Sequence, residues 1–229
     1  MSYTRLVIRN AIVFVVLGVL SSIVFYLWRL MLAHQLTPYE FGLFFACFSF
    51  IGLVTGLKEL GTSSAAVKYI AHYCAKRRWA LMRETMIWFF LWQLLCFGVA
   101  AVGVLVFLKP LATFYFKDPN ATSVMLWLLL LGLFAVVHHF FVTTFQGFKA
   151  VKESALTLFF LSCLVLSFSY LFIWFGWGAD APAAGYAVAT GVVLVLCGVM
   201  LYRLHPDFFK KMPNLRLSTL SRLLHFGFK

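Results

Sequence analysis

Six long apolar stretches, each near the length that crosses a hydrocarbon core, alternate with short polar turns along this chain. They cover residues 11–32, a second run from Pro38 onward, then 86–108, 123–145, 155–175 and 183–202. The pattern predicts an all-α fold, a polytopic membrane bundle of six transmembrane helices. Thr37 and Pro38 read as the N-cap and first position of the second helix. This helix is expected to continue past Gly61 toward the basic loop Lys76-Arg77-Arg78. A basic amphipathic stretch follows the sixth span, at 205–222. Residues 223–229 look like the opening of a seventh helix, too short to span. The organisation expected is therefore a six-span lobe at 1–204, a cytoplasmic linker at 205–222 and a helix start at 223–229.

Polar positions inside the apolar runs carry the functional signal, because an ionised side chain at mid-bilayer costs roughly 2.5–3.5 kcal/mol on insertion scales. Arg29 shares a helix face with Asn10, Phe14, Gly18, Ser22 and Phe25, and that stripe is expected to point into the bundle. Two readings of Arg29 stand. It either snorkels to the interface, about 13 Å by helical rise from Pro38, or it faces a polar path. Lys58 and Glu59 close the second run, and Lys58 shares a polar face with Thr55 and Thr62. Gln93 is the one strongly polar residue of the third run. His138 and His139 lie in the fourth, with His139 on the face of Gly132, Ala135, Thr143 and Gln146. A hydrogen-bonded helix contact competes with a proton-linked role for each histidine. The candidate cavity residues are Arg29, Lys58, Glu59, Gln93 and His139. Gly52-x-x-x-Gly56 is expected to allow close approach of a neighbouring helix.

Composition agrees with the pattern. At 63% hydrophobic and 11% charged the chain is far from a soluble domain. A net charge of +12 in such a chain reads as topology and contact with anionic headgroups, not as nucleic-acid binding. With the N-terminus inside, all 19 cations fall on the inner side except Lys109, Lys117 and the intramembrane Arg29. A multi-pass plasma-membrane protein with a cytoplasmic N-terminus is expected. The acids Glu40, Glu59, Glu84, Asp118, Glu153, Asp180 and Asp207 stand apart in sequence, with no paired carboxylates for a catalytic metal and no phosphate loop. The five cysteines are scattered, without ligand spacing. No enzyme, cofactor or metal site is expected.

Leu32-Ala33, Phe41-Gly42-Leu43-Phe44, Leu60-Gly61, Ser64-Ala65, Val67 and Tyr69-Ile70 follow in an order and spacing that resemble the first two helices of the polysaccharide flippases. Those belong to the multidrug/oligosaccharidyl-lipid/polysaccharide exporter superfamily. Phe145-Gln146-Gly147-Phe148 and Leu224-His225-Phe226-Gly227-Phe228 fit the same pattern. The resemblance implies a first, N-terminal lobe of a two-lobe transporter with a cationic cavity for a lipid-linked oligosaccharide. Its facing wall would come from a second lobe or a second half-size chain, so one lobe alone is not expected to flip lipid. A cation-coupled small-molecule exporter of the same superfamily and a non-transporting membrane scaffold or assembly subunit are the alternatives. A fragment, a truncated gene and a half-size subunit are all compatible with the length.

Overall fold

The computed structural model describes the backbone of residues 3–56 and 62–204, and side chains from residue 11. Lys58, Glu59, the linker at 205–222 and the helix start at 223–229 lie outside the described residues. Helices account for nearly all of what is described, in the order α1 (Tyr3–Gln35), α2 (Pro38–Gly56), α3 (Thr62–Ala75), α4 (Trp79–Val106), α5 (Leu108–Pro110), a π-turn (Leu111–Tyr115), α6 (Ala121–Gly147), α7 (Val151–Trp174) and α8 (Asp180–Leu204). No strand occurs among the described residues. Six of these helices are long and apolar enough to cross a membrane: α1 from Ala11, α2, α4, α6, α7 and α8. The protein is a multi-pass membrane bundle, as the alternation of runs and turns required.

Local chemistry sets the helix ends. At the start of α2 the Thr37 hydroxyl donates to Glu40 Oε2 at 2.7 Å, and the Thr37 amide does so at 2.9 Å. The Glu40 amide returns a bond to Thr37 Oγ1 at 3.3 Å, closing a reciprocal capping box. Helix α3 ends with Arg77 at φ 55° and α6 with Lys149 at φ 60°. In each case the next amide reaches back to a carbonyl five residues earlier, Arg78 to Tyr73 and Ala150 to Phe145. Long basic side chains occupy these left-handed positions where glycine is commoner, which places cations at the negative helix ends. Helix α4 begins seven residues before the apolar run. Its first turns bury Met82, Glu84 and Thr85, and Met82 packs on Ala65, Ala66, Ile70 and Tyr73 of α3.

The packing is uneven. Helix α6 is the hub, touching α2, α3, α4, α7 and α8. Together with α8 it is the most buried span, and α1 the least. The main core runs through α1, α2, α6, α7 and α8, and a smaller one joins Ala65, Ala66, Ile70 and Tyr73 of α3 to Met82, Met86 and Phe89 of α4. Close helix approach does not occur where it was expected. A Cβ at Gly52 would meet nothing within 4 Å among the described residues. A Cβ at Gly185 would lie 2.6 Å from the Ser169 Cα and N, so α7 and α8 touch backbone to backbone. Gly132 and Gly147 make room for Phe97 and Ile70.

Candidate functional site

Helix α1 lies on α7 and α2 lies on α6, and α1 meets α2 mainly through side chains, with Trp28 edge-on to Phe44 at 6.1 Å and tilted against Phe45 at 6.5 Å. The outer side of this α1–α2 seam, where Arg29 and Phe45 lie, is called the groove. Trp28 fixes the rotation of α1: it is buried, and its Nε1 donates to Ser169 Oγ at 3.0 Å. The inward face of α1 therefore carries Ser21, Trp28, Leu32 and Leu36. The stripe expected to point into the bundle is turned outward, with Phe14, Gly18, Ser22 and Arg29 exposed. The physical reason is volume. Burying an indole and two leucine side chains outweighs burying a small, polar face.

Arg29 is exposed at the edge of the groove, its guanidinium 5.0 Å from the centre of the Phe45 ring. No carboxylate ion-pairs with it among the described residues, so its charge is held by an aromatic face alone. The rings continue inward from there. Phe45 meets Phe41 at 4.6 Å and Phe48 at 6.5 Å, and Phe48 stacks on Tyr186 of α8 at 6.4 Å. Phe25 of α1 reaches Tyr186 at 6.1 Å from the other side. These five rings are half-buried. They form a wall that is apolar yet open on one side.

Behind Phe48 and Tyr186 the wall opens into a cavity of about 210 Å³ between α2, α6, α7 and α8. Its lining is mainly apolar, with Thr55, His138, Tyr186 and Thr190 as the hydrogen-bonding groups. Among the described residues no Asp, Glu, Lys or Arg lines it. Neither Arg29, Gln93 nor His139 does so either. Gln93 is fully buried in α4, and neither of its amide atoms finds a partner among the described residues. One turn to either side, Phe89 meets the His139 ring and Phe97 packs at Gly132. Gln93 thus belongs to the α4–α6 contact. His139 bonds to Ser63 Oγ at 2.9 Å, tying α6 to the start of α3. Its neighbour His138 is the histidine that reaches the cavity.

Carboxylates that stand apart in the sequence gather at one end of the bundle. Tyr39 donates its hydroxyl to Asp118, Ser123 bonds to Asp180 at 2.8 Å, and Glu40 Oε1 sits against Gly178. Tyr39, Glu40 and Asp180 share a small cavity of about 130 Å³. Among the described residues no group of three His, Cys, Asp or Glu is placed to hold a metal ion. The opposite end carries Lys68, Lys76, Arg77, Arg78, Lys149 and Lys152.

A family model described as polysaccharide biosynthesis protein matches residues 7–229. The chain belongs to that family. Among curated proteins, an uncharacterized membrane protein of Methanocaldococcus jannaschii is 20% identical over 239 residues, covering 99% of this chain and 47% of its own length. The chain thus spans about half the length of that relative. No solved structure matches. Membership agrees with the motifs at Phe41–Phe44, Leu60-Gly61 and Tyr69-Ile70, and it sets a polysaccharide biosynthesis protein of the membrane around a groove edged by one arginine. The aromatic spacing of Phe41, Phe44, Phe45 and Phe48, at i, i+3, i+4 and i+7, was the signal in the sequence that could have located the wall. Nothing local could have joined it to Tyr186, His138 or Thr190.

Proposed function

We propose that this chain is one lobe of a flippase for lipid-linked oligosaccharide or polysaccharide repeat units, with the α1–α2 groove as its half of the path. The observation that carries the reading is Arg29: a cation late in an apolar span, exposed to the groove, with an aromatic ring and no carboxylate beside it among the described residues. A lipid-linked glycan crosses the bilayer with an anionic phosphate or diphosphate, whose desolvation needs a fixed positive charge at depth. The planar guanidinium offers a fork of donors to phosphate oxygens. The half-buried rings beside it present faces on which sugar C–H groups stack. The cycle binds and reorients a substrate without making or breaking a covalent bond. A second lobe, or a second half-size chain, supplies the facing wall, consistent with a relative of about twice the length.

The test is export by the complete transporter at matched protein levels. Arg29→Ala is expected to lower it roughly ten- to a hundredfold, the loss of a charge-assisted contact of about 1.5–3 kcal/mol. Arg29→Lys keeps the charge but loses the fork, and should fall between that variant and wild type. Full export from a well-expressed Arg29→Ala protein would end the phosphate reading.

The orientation we propose places the N-terminus and the cationic end in the cytoplasm, on the loop charges. In a background lacking the five native cysteines, an exposed Trp177→Cys should react with an impermeant thiol reagent from outside, and Lys76→Cys should not. The reverse pattern inverts the path.

A further inference from the structure

His138 is only 8% exposed, and its Nε2 meets no partner among the described residues. A buried nitrogen left unpaired costs about 1–3 kcal/mol, so the site calls for an occupant that pairs it. The cavity it lines holds about 210 Å³, far more than the ≈ 30 Å³ share of a single bridging water. Its walls are mostly Ile, Leu, Gly and Ala, which suit a hydrocarbon group better than a water cluster. The hydrogen-bonding capacity left over is specific. Thr55 donates its hydroxyl proton to the Ile51 carbonyl at 2.7 Å, and Thr190 donates its own to the Tyr186 carbonyl at 2.8 Å. Both threonine oxygens therefore remain as acceptors. The His138 ring nitrogen and the Tyr186 hydroxyl remain to donate. Among the described residues no charged side chain lines it, and the group that fits these residues is neutral, donates one hydrogen bond, accepts another and is otherwise apolar.

We infer that this cavity takes the acetamido group of an N-acetylated sugar, and so makes the lobe selective for it. The amide N–H donates to a threonine oxygen and the amide carbonyl accepts from His138 or Tyr186. The methyl group rests against the apolar wall. A plain hydroxyl would satisfy the polar groups but leave the wall unfilled; a carboxylate or phosphate, being acceptor-only, would leave the threonines unmatched. Position supports the assignment. Phe48 and Tyr186 line the cavity and are also rings of the groove wall, and Phe48 is one ring contact from Phe45, over which Arg29 lies. A phosphate at Arg29 thus leaves its attached sugar beside the cavity mouth. The inference rests on the flippase reading above and names the sugar that reading leaves open.

The test uses this chain in lipid nanodiscs and three calorimetric probes: farnesyl diphosphate linked to N-acetylglucosamine, the same lipid linked to glucose, and farnesyl diphosphate alone. The acetamido probe should bind about tenfold more tightly than the glucose probe, as one or two neutral hydrogen bonds and a buried methyl allow. His138→Ala should abolish that preference and leave farnesyl diphosphate binding unchanged. Thr55→Val keeps the side-chain shape and should shrink the preference in a protein whose fold is intact, which carries the test if His138→Ala misfolds. Equal affinity for the two sugar probes in the wild-type chain overturns the inference and leaves the flippase reading standing. A preference that survives both substitutions puts the sugar elsewhere and overturns it too. Failure of all three probes to bind overturns this inference, which places the sugar site on these residues alone, and leaves the flippase reading to the export test of Arg29.

Discussion

Helices α7 and α8 and the seam between α1 and α2 show opposite uses of side-chain size. Along the first contact the residues are small: Ala181 and Ala189, on the face of Gly185, are fully buried, and Gly185 brings α8 onto the backbone of Ser169. Trp28 of α1 reaches into the same place and bonds to Ser169 Oγ. In a bilayer, where lipid tails are as apolar as the helices, such close contact and a few hydrogen bonds are what hold helices together. Across the seam the residues are large. Trp28 of α1 packs its ring on Phe44 and Phe45 of α2, and a Cβ at Gly52 would meet nothing within 4 Å among the described residues. One side meets backbone to backbone. The other meets through large side chains, and it is the side that carries Arg29, the ring wall and the cavity with His138.

Substitutions that exchange the two kinds of contact should have graded effects. The largest is expected from Gly185→Val, whose side chain has no space against the Ser169 backbone. A loss of about 3 kcal/mol, or failure to recover folded protein, should appear in thermal unfolding followed in detergent. Unchanged stability would mean that α7 and α8 are not in backbone contact. Trp28→Phe comes next. It keeps an aromatic ring but removes the Nε1 donor to Ser169, and should cost about 1–2 kcal/mol by the same measurement. A paired Ser169→Ala change should then add little, because both act on one bond. The smallest effect belongs to Gly52→Ala. With nothing within 4 Å of the new methyl, the helix should be unaffected or gain up to about 1 kcal/mol. A clear loss there would show that α2 meets a neighbour the groove leaves no room for.

Some of this was legible residue by residue. The capping box at Thr37 and Glu40 involves neighbours four positions apart at most, and its chemistry reads directly from Thr-Pro-Tyr-Glu. The six spans are legible for the same reason, since hydropathy is a local sum. Their limits were less so. Helix α4 starts at Trp79, with Met82 of its polar first turns packed on α3, and no window of apolar residues reports such a partner. The facing of α1 was misjudged on similar grounds. A polar stripe through Gly18, Ser22 and Arg29 looks inward when bundle interior and polar path are taken as one place. In this chain the buried face and the polar stripe are on different sides of α1, and the bond of Trp28 to Ser169, 141 residues away, fixes which is which.

The sequence by itself determined the solvent, the number of spans, the charge asymmetry of the loops and the family motifs, all of which depend on composition within one turn or one helix. Tertiary structure alone decided which histidine lines a cavity, which glycine admits a backbone, and that Glu40, Asp118 and Asp180 share one end. Those outcomes depend on the rotation of each helix about its axis. Rotation is fixed by volume matching between helices distant in the chain, and side-chain volume at one position carries no information about its partner.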